Sequence, residues 1–290
     1  MGVEGNVKHE LIILGSGQDG GLPQLGARMA ADAAARLDPL AVRLGPSIAL
    51  LGEDGRCFLV DVSPDIKEQE SRLLRIPAYA ARTGHNPFDG ALLTHAHMGH
   101  YLGLAHFGRE AANTRDLPVW CTAAMAAFLR NNAPWDQLVS LRNVELRELS
   151  PPAAVQPWPG LSLRPIPVPH RGEYTDTVGV SINDSVLYVP DIDSWAAWPA
   201  SREEVRRHRV CILDATFFSA AELPGRNLKE ISHPFIEDTL AYFREEAKGR
   251  RMILTHFNHS NPVCDPGSPQ AKRVLEAGFE LAQEMMRVPL

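Results

Sequence analysis

Short apolar runs separated by turn residues recur along the chain, and their lengths suit buried strands better than helices. In the first half these runs cover residues 11–14, 47–51, 57–62, 91–93 and 119–121. In the second half they cover 161–167, 177–182, 186–189, 210–213 and 252–254. Glu53-Asp54-Gly55 and Asn183-Asp184 fall between adjacent runs and predict hairpin turns. Ser63-Pro64-Asp65 predicts the start of a helix reaching about residue 74, with proline suited to its first position. Helices are also expected over 101–107 and 123–130, and Ile236, Leu240, Phe243 and Ala247 recur at helical spacing. Ser268-Pro269 opens a last helix with Val274, Leu275, Leu281 and Met285 on one face, while the alanine-rich residues 27–38 fit a helix or a loop. Two strand-rich halves, each followed by helices, predict an α/β protein with two packed sheets and helices outside, a four-layer αββα sandwich. No linker divides it, so residues 1–290 read as one domain.

Composition changes this picture little. The net charge is −6 with no run of Lys or Arg, so no electrostatic footprint for nucleic acid is visible. The first ten residues are largely polar, and the apolar stretch 11–14 is too short for a signal-peptide core or a membrane span. Cys57, Cys121, Cys211 and Cys264 are scattered, with no Cys-x-x-Cys pair, which fits buried reduced thiols. The expected setting is the cytoplasm, with a small-molecule or peptide substrate and no membrane partner; a homodimer is left open.

The chemistry concentrates where the run 91–93 empties into Thr94-His95-Ala96-His97-Met98-Gly99-His100. If strand geometry persists, His95 and His97 point the same way and both imidazoles can face one metal ion. His100 then opens the following helix. Four more apolar runs end in a candidate ligand: His170, Asp191, Asp214 and His256. Each alone has a plain structural reading as a turn residue, cap or loop acceptor, but together with the His95 cluster they form a ligand set. Gly15-Ser16-Gly17-Gln18-Asp19-Gly20-Gly21 marks a tight loop where backbone approaches something closely, though it lacks the following helix of a dinucleotide fingerprint.

His95-x-His97-x-x-His100, followed by His170, Asp191 and His256 in that order, resembles the metallo-β-lactamase superfamily. The resemblance implies that fold, with His95, His97 and His170 on one metal, and Asp191 bridging to a second that His100 and His256 also bind. The family motif is His-x-His-x-Asp-His, and Gly99 stands here where its aspartate belongs. The second site is therefore expected to keep two imidazoles and the bridging Asp191. One or two divalent ions are implied, zinc first, with iron or manganese as alternatives.

Further likeness lies at both ends of the chain. Leu14-Gly15-Ser16, Gly20-Gly21-Leu22-Pro23-Gln24, Ser63-Pro64-Asp65-Ile66 and His256-Phe257-Asn258 with Asn261-Pro262 resemble the pyrroloquinoline quinone biosynthesis protein B family. Members of that family generally lack the His-x-His pair and carry a cysteine cluster where Leu25-Gly26-Ala27 stand here. The segments 168–173 and 212–217 resemble ribonuclease Z and the phosphonate-pathway cyclic phosphodiesterase. In those enzymes a histidine before the penultimate helix assists catalysis, and His233 takes the corresponding place; the plain alternative is a helix cap.

These readings imply a metal-dependent hydrolase that uses metal-activated hydroxide on a phosphodiester or another ester-type substrate. In that scheme Asp191 orients the water, His233 protonates the leaving group, Asp214 orients a ligand histidine, and Arg171 and Glu173 contact substrate. The competing class is an iron-dependent oxygenase or hydroxylase in the biosynthesis of a quinone cofactor or a peptide-derived product, with Gly99 opening coordination positions for oxygen. A metal carrier without catalysis is the third.

Overall fold

Strands buried on both faces need apolar side chains at nearly every position, and the runs identified above supply them. The computed structural model describes residues 8–227 and 231–290, so most of the polar N-terminal stretch lies outside the described residues. Six strands in chain order build most of the first sheet: β1 (His9–Gly15), β2 (Ser47–Gly52), β3 (Cys57–Val60), β4 (Gly90–Leu92), β5 (Leu117–Cys121) and β6 (Val144–Glu148). The second sheet takes β7 (Val155–Trp158), β8 (Leu161–Pro167), β9 (Val178–Ile182), β10 (Val186–Val189), β11 (Val210–Asp214), β12 (Arg251–Thr255) and β13 (Phe279–Leu281). The chain then returns to the first sheet as β14 (Arg287–Pro289), antiparallel to β1. The strand orders are β14-β1-β2-β3-β4-β5-β6 and β13-β12-β11-β10-β9-β8-β7.

The period-2 geometry of a strand divides its side chains between two apolar layers. Leu11, Ile13, Ile48, Leu50, Phe58, Val60 and Leu92 point inward and join residues of the second sheet, such as Leu163, Val180 and Ile182, in a core between the sheets. Their alternates Ile12, Leu14, Ala49, Leu51, Leu59, Ala91 and Leu93 pack outward under Ile66, Leu73, Met125 and Leu129, which lie on the helices Ile66–Leu73 and Ala123–Asn131. On the far side, Val205, Ile236, Leu240 and Val274 bring the helices Ser201–Arg207, Ile236–Tyr242 and Pro269–Glu276 onto the second sheet. The four layers predicted from the sequence are present.

Two hairpins fall where the turn residues predict them. Asn183 and Asp184 both adopt positive φ (51° and 46°) in the short connection, residues 183–185, that turns β9 back into β10. The alanine-rich segment is helical over Ala30–Leu37. Several boundaries differ from expectation. Pro64 precedes its helix and is not the first helical residue, because Ser63 Oγ accepts the Asp65 N–H (3.2 Å) and forms a turn first. The helix begun at Ile236 ends at Tyr242, and Ala247 belongs to a separate 3₁₀ turn, Glu246–Gly249. The last helix stops at Glu276, with Gly278 at φ 82° turning the chain into β13. Leu281 is thus a strand residue, and Met285, at φ 66°, donates its N–H to the Ile13 carbonyl of β1 (2.7 Å). Strand geometry also ends at Leu92, before the histidine cluster, and the helix after it is Met98–Tyr101 followed by the 3₁₀ segment Leu102–Phe107.

Topology places the chemistry. Strands β3, β4 and β5 are mutually parallel, as are β10, β11 and β12, so each set ends at one edge of its sheet. Asp61, His95, Asp191, Asp214 and His256 all lie at or just beyond such ends. The four cysteines are buried and free, and burial pushes the thiols of Cys121, Cys211 and Cys264 up to about 12. Among the described residues, no helix is long and apolar enough to cross a membrane.

One glycine sets how closely the histidine loop approaches β3. Gly103 N–H donates to the Val62 carbonyl (2.9 Å), and a Cβ on Gly103 would lie 2.1 Å from the Ser63 carbonyl oxygen. Gly103→Ala is expected to destabilise the fold by roughly 1–3 kcal/mol. A lowered urea midpoint would show it, with Gly84→Ala, where a Cβ would meet only the Asn86 carbonyl oxygen at 3.9 Å, as a near-neutral control.

Candidate metal centre

The predicted ligands arrive from strand ends of both sheets and meet in one place. His97 Nδ1 lies 3.2 Å from His170 Nε2, which is 3.5 Å from Asp191 Oδ1. Asp191 Oδ2 lies 2.8 Å from His100 Nε2, 3.1 Å from His256 Nε2 and 3.8 Å from His95 Nε2. Donor atoms of His95, His97, His170 and Asp191 form one mutually close group; Asp191, His233 and His256 form another. Two ligands on a tetrahedral zinc, each at about 2.0–2.1 Å, are about 3.3 Å apart, so the spacing around His170 is that of atoms sharing an ion.

The outer nitrogens explain why the inner ones are bare. Thr94 Oγ1 donates to Asp61 (2.9 Å to Oδ1), so it can only accept from His95 Nδ1 (2.9 Å). His100 Nδ1 donates to Asp61 Oδ2 (2.7 Å). In the other sheet Thr216 Oγ1 donates to Asp214 Oδ1 (2.8 Å) and accepts from His256 Nδ1 (2.9 Å). With each Nδ1 protonated, the Nε2 atoms of His95, His100 and His256 carry lone pairs and face the centre. Those three nitrogens and Asp191 Oδ2 are buried without a hydrogen-bond partner. His97 is turned the other way: its Nε2 donates to Glu173 Oε2 (3.1 Å), which frees Nδ1. Buried lone pairs converging without donors suit a divalent cation and little else, so the residues fit the metal that the histidine pattern implies.

Charges follow from this packing. Burial holds His95 well below its ordinary value, and burial also lowers His170 and His256. Neutral imidazole is the ligand form. Burial disfavours charge on His100 too, but Asp61 and Asp191 outweigh it and raise that group. Burial alone would raise the Asp191 carboxyl; His256 and His100 reverse this and keep it well below the usual carboxylate range.

His233 stands at the rim of the cluster. Its Nδ1 lies 2.8 Å from Asp214 Oδ2 and 3.6 Å from Asp191 Oδ1. The following helix is N-capped by Phe235 without a side-chain bond, so His233 is not its cap. It also lines a cavity of about 340 Å³ together with Asp193, Trp195, Asp238 and Tyr242. Asp214 touches His233 directly and His256 through Thr216, a positioning role and not that of a ligand. Arg171 is exposed beside His170, and its N–H donates to Asp193 Oδ1 (3.1 Å).

Sequence reasoning missed three carboxylates. Asp61 follows the apolar strand β3, a signal that could have found it, whereas Asp193 had no motif to mark it; Asp193 Oδ1 lies 3.1 Å from His170 Nδ1. The third is Asp19 of the glycine-rich loop, whose Oδ1 accepts the Gly99 N–H (2.9 Å) and lies 3.7 Å from His100 Nε2. The glycine density did signal close approach, but the approach is to the histidine loop.

Asp61 tests the positioning argument. It sits at φ 64°, a conformation that asparagine also accepts, so Asp61→Asn should keep the backbone. Its amide would oppose the His100 Nδ1–H with either a donor or an uncharged acceptor. Affinity for zinc, measured by competition with a chelator, is expected to fall roughly 10–100-fold.

Comparison with known proteins agrees with the geometry. The model of the family described as "Beta-lactamase superfamily domain" matches residues 56–257. Coenzyme PQQ synthesis protein B of Xanthomonas campestris pv. campestris is 26% identical over 309 residues, covering 97% of this chain and 99% of its own. The structure of zinc-bound PqqB from Methylobacterium extorquens superposes with a TM-score of 0.83 at 21% identity, covering 97% of this chain and 100% of the other. A diphosphatase from the PhnP family superposes with a TM-score of 0.72 at 25% identity, covering 98% and 97%. With the family model spanning most of its length and the two-sheet sandwich in place, the chain belongs to the beta-lactamase superfamily and has the metallo-β-lactamase fold.

Proposed function

We propose that this protein is a metal-dependent hydrolase of phosphoric esters, with a small phosphodiester as the leading substrate class. The observation that carries the reading is the meeting of bare imidazole nitrogens and Asp191 beside a cavity that His233 also lines. His95, His97 and His170 with Asp191 would hold a first ion, and Asp191, His100 and His256 would serve a second. Zinc is the first candidate, with iron or manganese as alternatives. An ion so held would lower the pKa of a water beside it to about 7 and so supply hydroxide at neutral pH.

The chain's own groups do the rest. Asp191 remains a carboxylate and orients the attacking water through an oxygen facing the cluster. His233 keeps Nδ1 on Asp214, so its other ring nitrogen is the one available to give a proton to a leaving oxygen. The cavity beside it is of a size that takes a small substrate. Arg171, exposed next to His170, is placed to meet an anionic group, whereas Glu173 is committed to His97 and acts on substrate only through that ring. The similarity to a diphosphatase at 25% identity supports a phosphoric substrate.

The likeness to coenzyme PQQ synthesis protein B over 97% of the chain favours a second reading, an iron-dependent oxidation in cofactor assembly. Two features weigh against it: the complete His95, His97 and His170 set, and the presence of Asp19 in the space that Gly99 was expected to leave open.

Bis(p-nitrophenyl) phosphate offered to the zinc- or manganese-loaded protein separates the two. The expected result is p-nitrophenol release that His97→Ala abolishes. His233→Asn should lower kcat by about 10²–10⁴-fold with little change in KM. No turnover on phosphodiesters, together with oxygen consumption by the iron-loaded protein, would overturn the hydrolase reading in favour of oxidation.

A further inference from the structure

The space around Gly99 shows where the missing motif carboxylate has gone. A Cβ built on Gly99 would lie 2.1 Å from Asp19 Oδ1, 2.6 Å from Asp19 Cα and 2.9 Å from Asp19 Cγ. The Asp19 side chain therefore occupies the volume in which a side chain at position 99 would begin. A carboxylate at 99 and Asp19 in this pose exclude each other sterically.

Asp19 is held there by more than one contact. Its Oδ1 accepts the Gly99 N–H, and donor atoms of Asp19, His100 and His256 lie within 4.8 Å of one another. The loop that carries it is joined to the segment that carries His256. Gln18 N–H donates to the Phe257 carbonyl (2.9 Å), Phe257 N–H donates to the Ser16 carbonyl (2.9 Å), and Asn258 Nδ2 donates to Gln18 Oε1 (2.9 Å). His100 Nε2 and His256 Nε2, both buried, have no hydrogen-bond partner of their own. They face the same space as the Asp19 carboxylate.

We propose that Asp19 is a ligand of the second metal ion, with His100, His256 and the shared Asp191, supplying from the glycine-rich loop the carboxylate that Gly99 lacks. Two carboxylates and two imidazoles give a site that takes zinc, manganese or iron. Gly99 is then a requirement of this arrangement and not a loss from it, since any side chain there would displace Asp19. The proposal rests on the reading of the cluster as a metal centre.

The test is zinc stoichiometry and affinity by titration against a chelator, with the zinc-dependent rise in melting temperature as an independent readout. The parent is expected to bind two zinc ions per chain, and the isosteric Asp19→Asn one, or the second at least 10-fold more weakly. Gly99→Asp alone should also lose the second ion, because its side chain collides with Asp19. The exchange variant Asp19→Gly/Gly99→Asp should regain it, a recovery that no purely structural role for Asp19 as a loop contact would produce. If the parent binds two ions and Asp19→Asn holds both with equal affinity, the proposal fails while the metal-centre reading stands. A parent that binds a single ion, unaffected by Asp19→Asn, also defeats it. A parent that binds none, at any zinc concentration short of precipitation, overturns both.

Discussion

The fold is organised around a group of lone pairs that the polypeptide itself does not satisfy. Leaving a buried polar atom unpaired costs about 1–3 kcal/mol. His95 Nε2, His100 Nε2, His256 Nε2 and Asp191 Oδ2 incur that cost together, within one cluster. Against a typical net stability of about 5–15 kcal/mol this is a heavy load. It is tolerable when divalent ions at the two neighbouring positions accept all four, because the desolvation that penalises an isolated polar atom strengthens its bond to an ion. The sandwich provides the rigidity that keeps the four atoms from relaxing toward other partners.

That rigidity is built twice, once from each sheet. In the first, Asp61 and Thr94 engage the Nδ1 atoms of His100 and His95; in the second, Asp214 and Thr216 engage those of His233 and His256. Each pair consists of a carboxylate at a strand end and a threonine whose hydroxyl must donate to it, which leaves the threonine oxygen as an acceptor for imidazole. The tautomer of a ligand histidine is thus fixed at the ring nitrogen that faces away from the metal position. Asp61 and His256 both take positive φ to reach their places, so the chain turns sharply where the chemistry begins. Asp191 meets imidazoles from both halves through one oxygen, with His100 and His95 on one side and His256 on the other, which is why its carboxylate is the hinge of the electrostatics.

What could be read from the sequence divides along physical lines. Strands buried on both faces leave long apolar runs, so β1 to β5 and β8 to β12 were legible, as was the layered fold. Strand β6, with Glu145, Arg147 and Glu148, sits at a sheet edge where charged residues are tolerated, and it left no such run. β13 and β14 are three residues each, too short for a pattern, and Leu281 of β13 was absorbed into a helix that stops before Gly278. At the site, the six expected ligands were visible because each follows an apolar run, and they meet. Asp61 follows the apolar stretch of β3 and carries that same signal, but it lies inside a run read as strand to residue 62, and nothing in local spacing separates Asp193 from Asp184. Only the fold does so.

Asp19 shows a further limit of reading motifs by position. A ligand set is a requirement on atoms in space, and covalent order matters only through the cost of bringing those atoms together. A carboxylate next to His100 in sequence is held by the same helix turn and costs little to place. One arriving from a loop 80 residues away must be fixed by tertiary contacts. Here the contacts between residues 16–18 and 257–258 tie the loop to the strand end bearing His256, while Asp19 itself accepts the Gly99 N–H of the histidine loop. The geometry of the second position then depends on the order of the glycine-rich loop, whereas the first position, built from His95, His97, His170 and Asp191, does not. The two positions share Asp191 but rest on different parts of the fold, so disorder in the loop weakens one and spares the other. The glycines around Asp19 are part of that dependence: Gly21 takes φ 60°, and a Cβ on Gly17 would crowd the Leu44 carbonyl at 3.0 Å, so the loop reaches the histidines only with these residues in it.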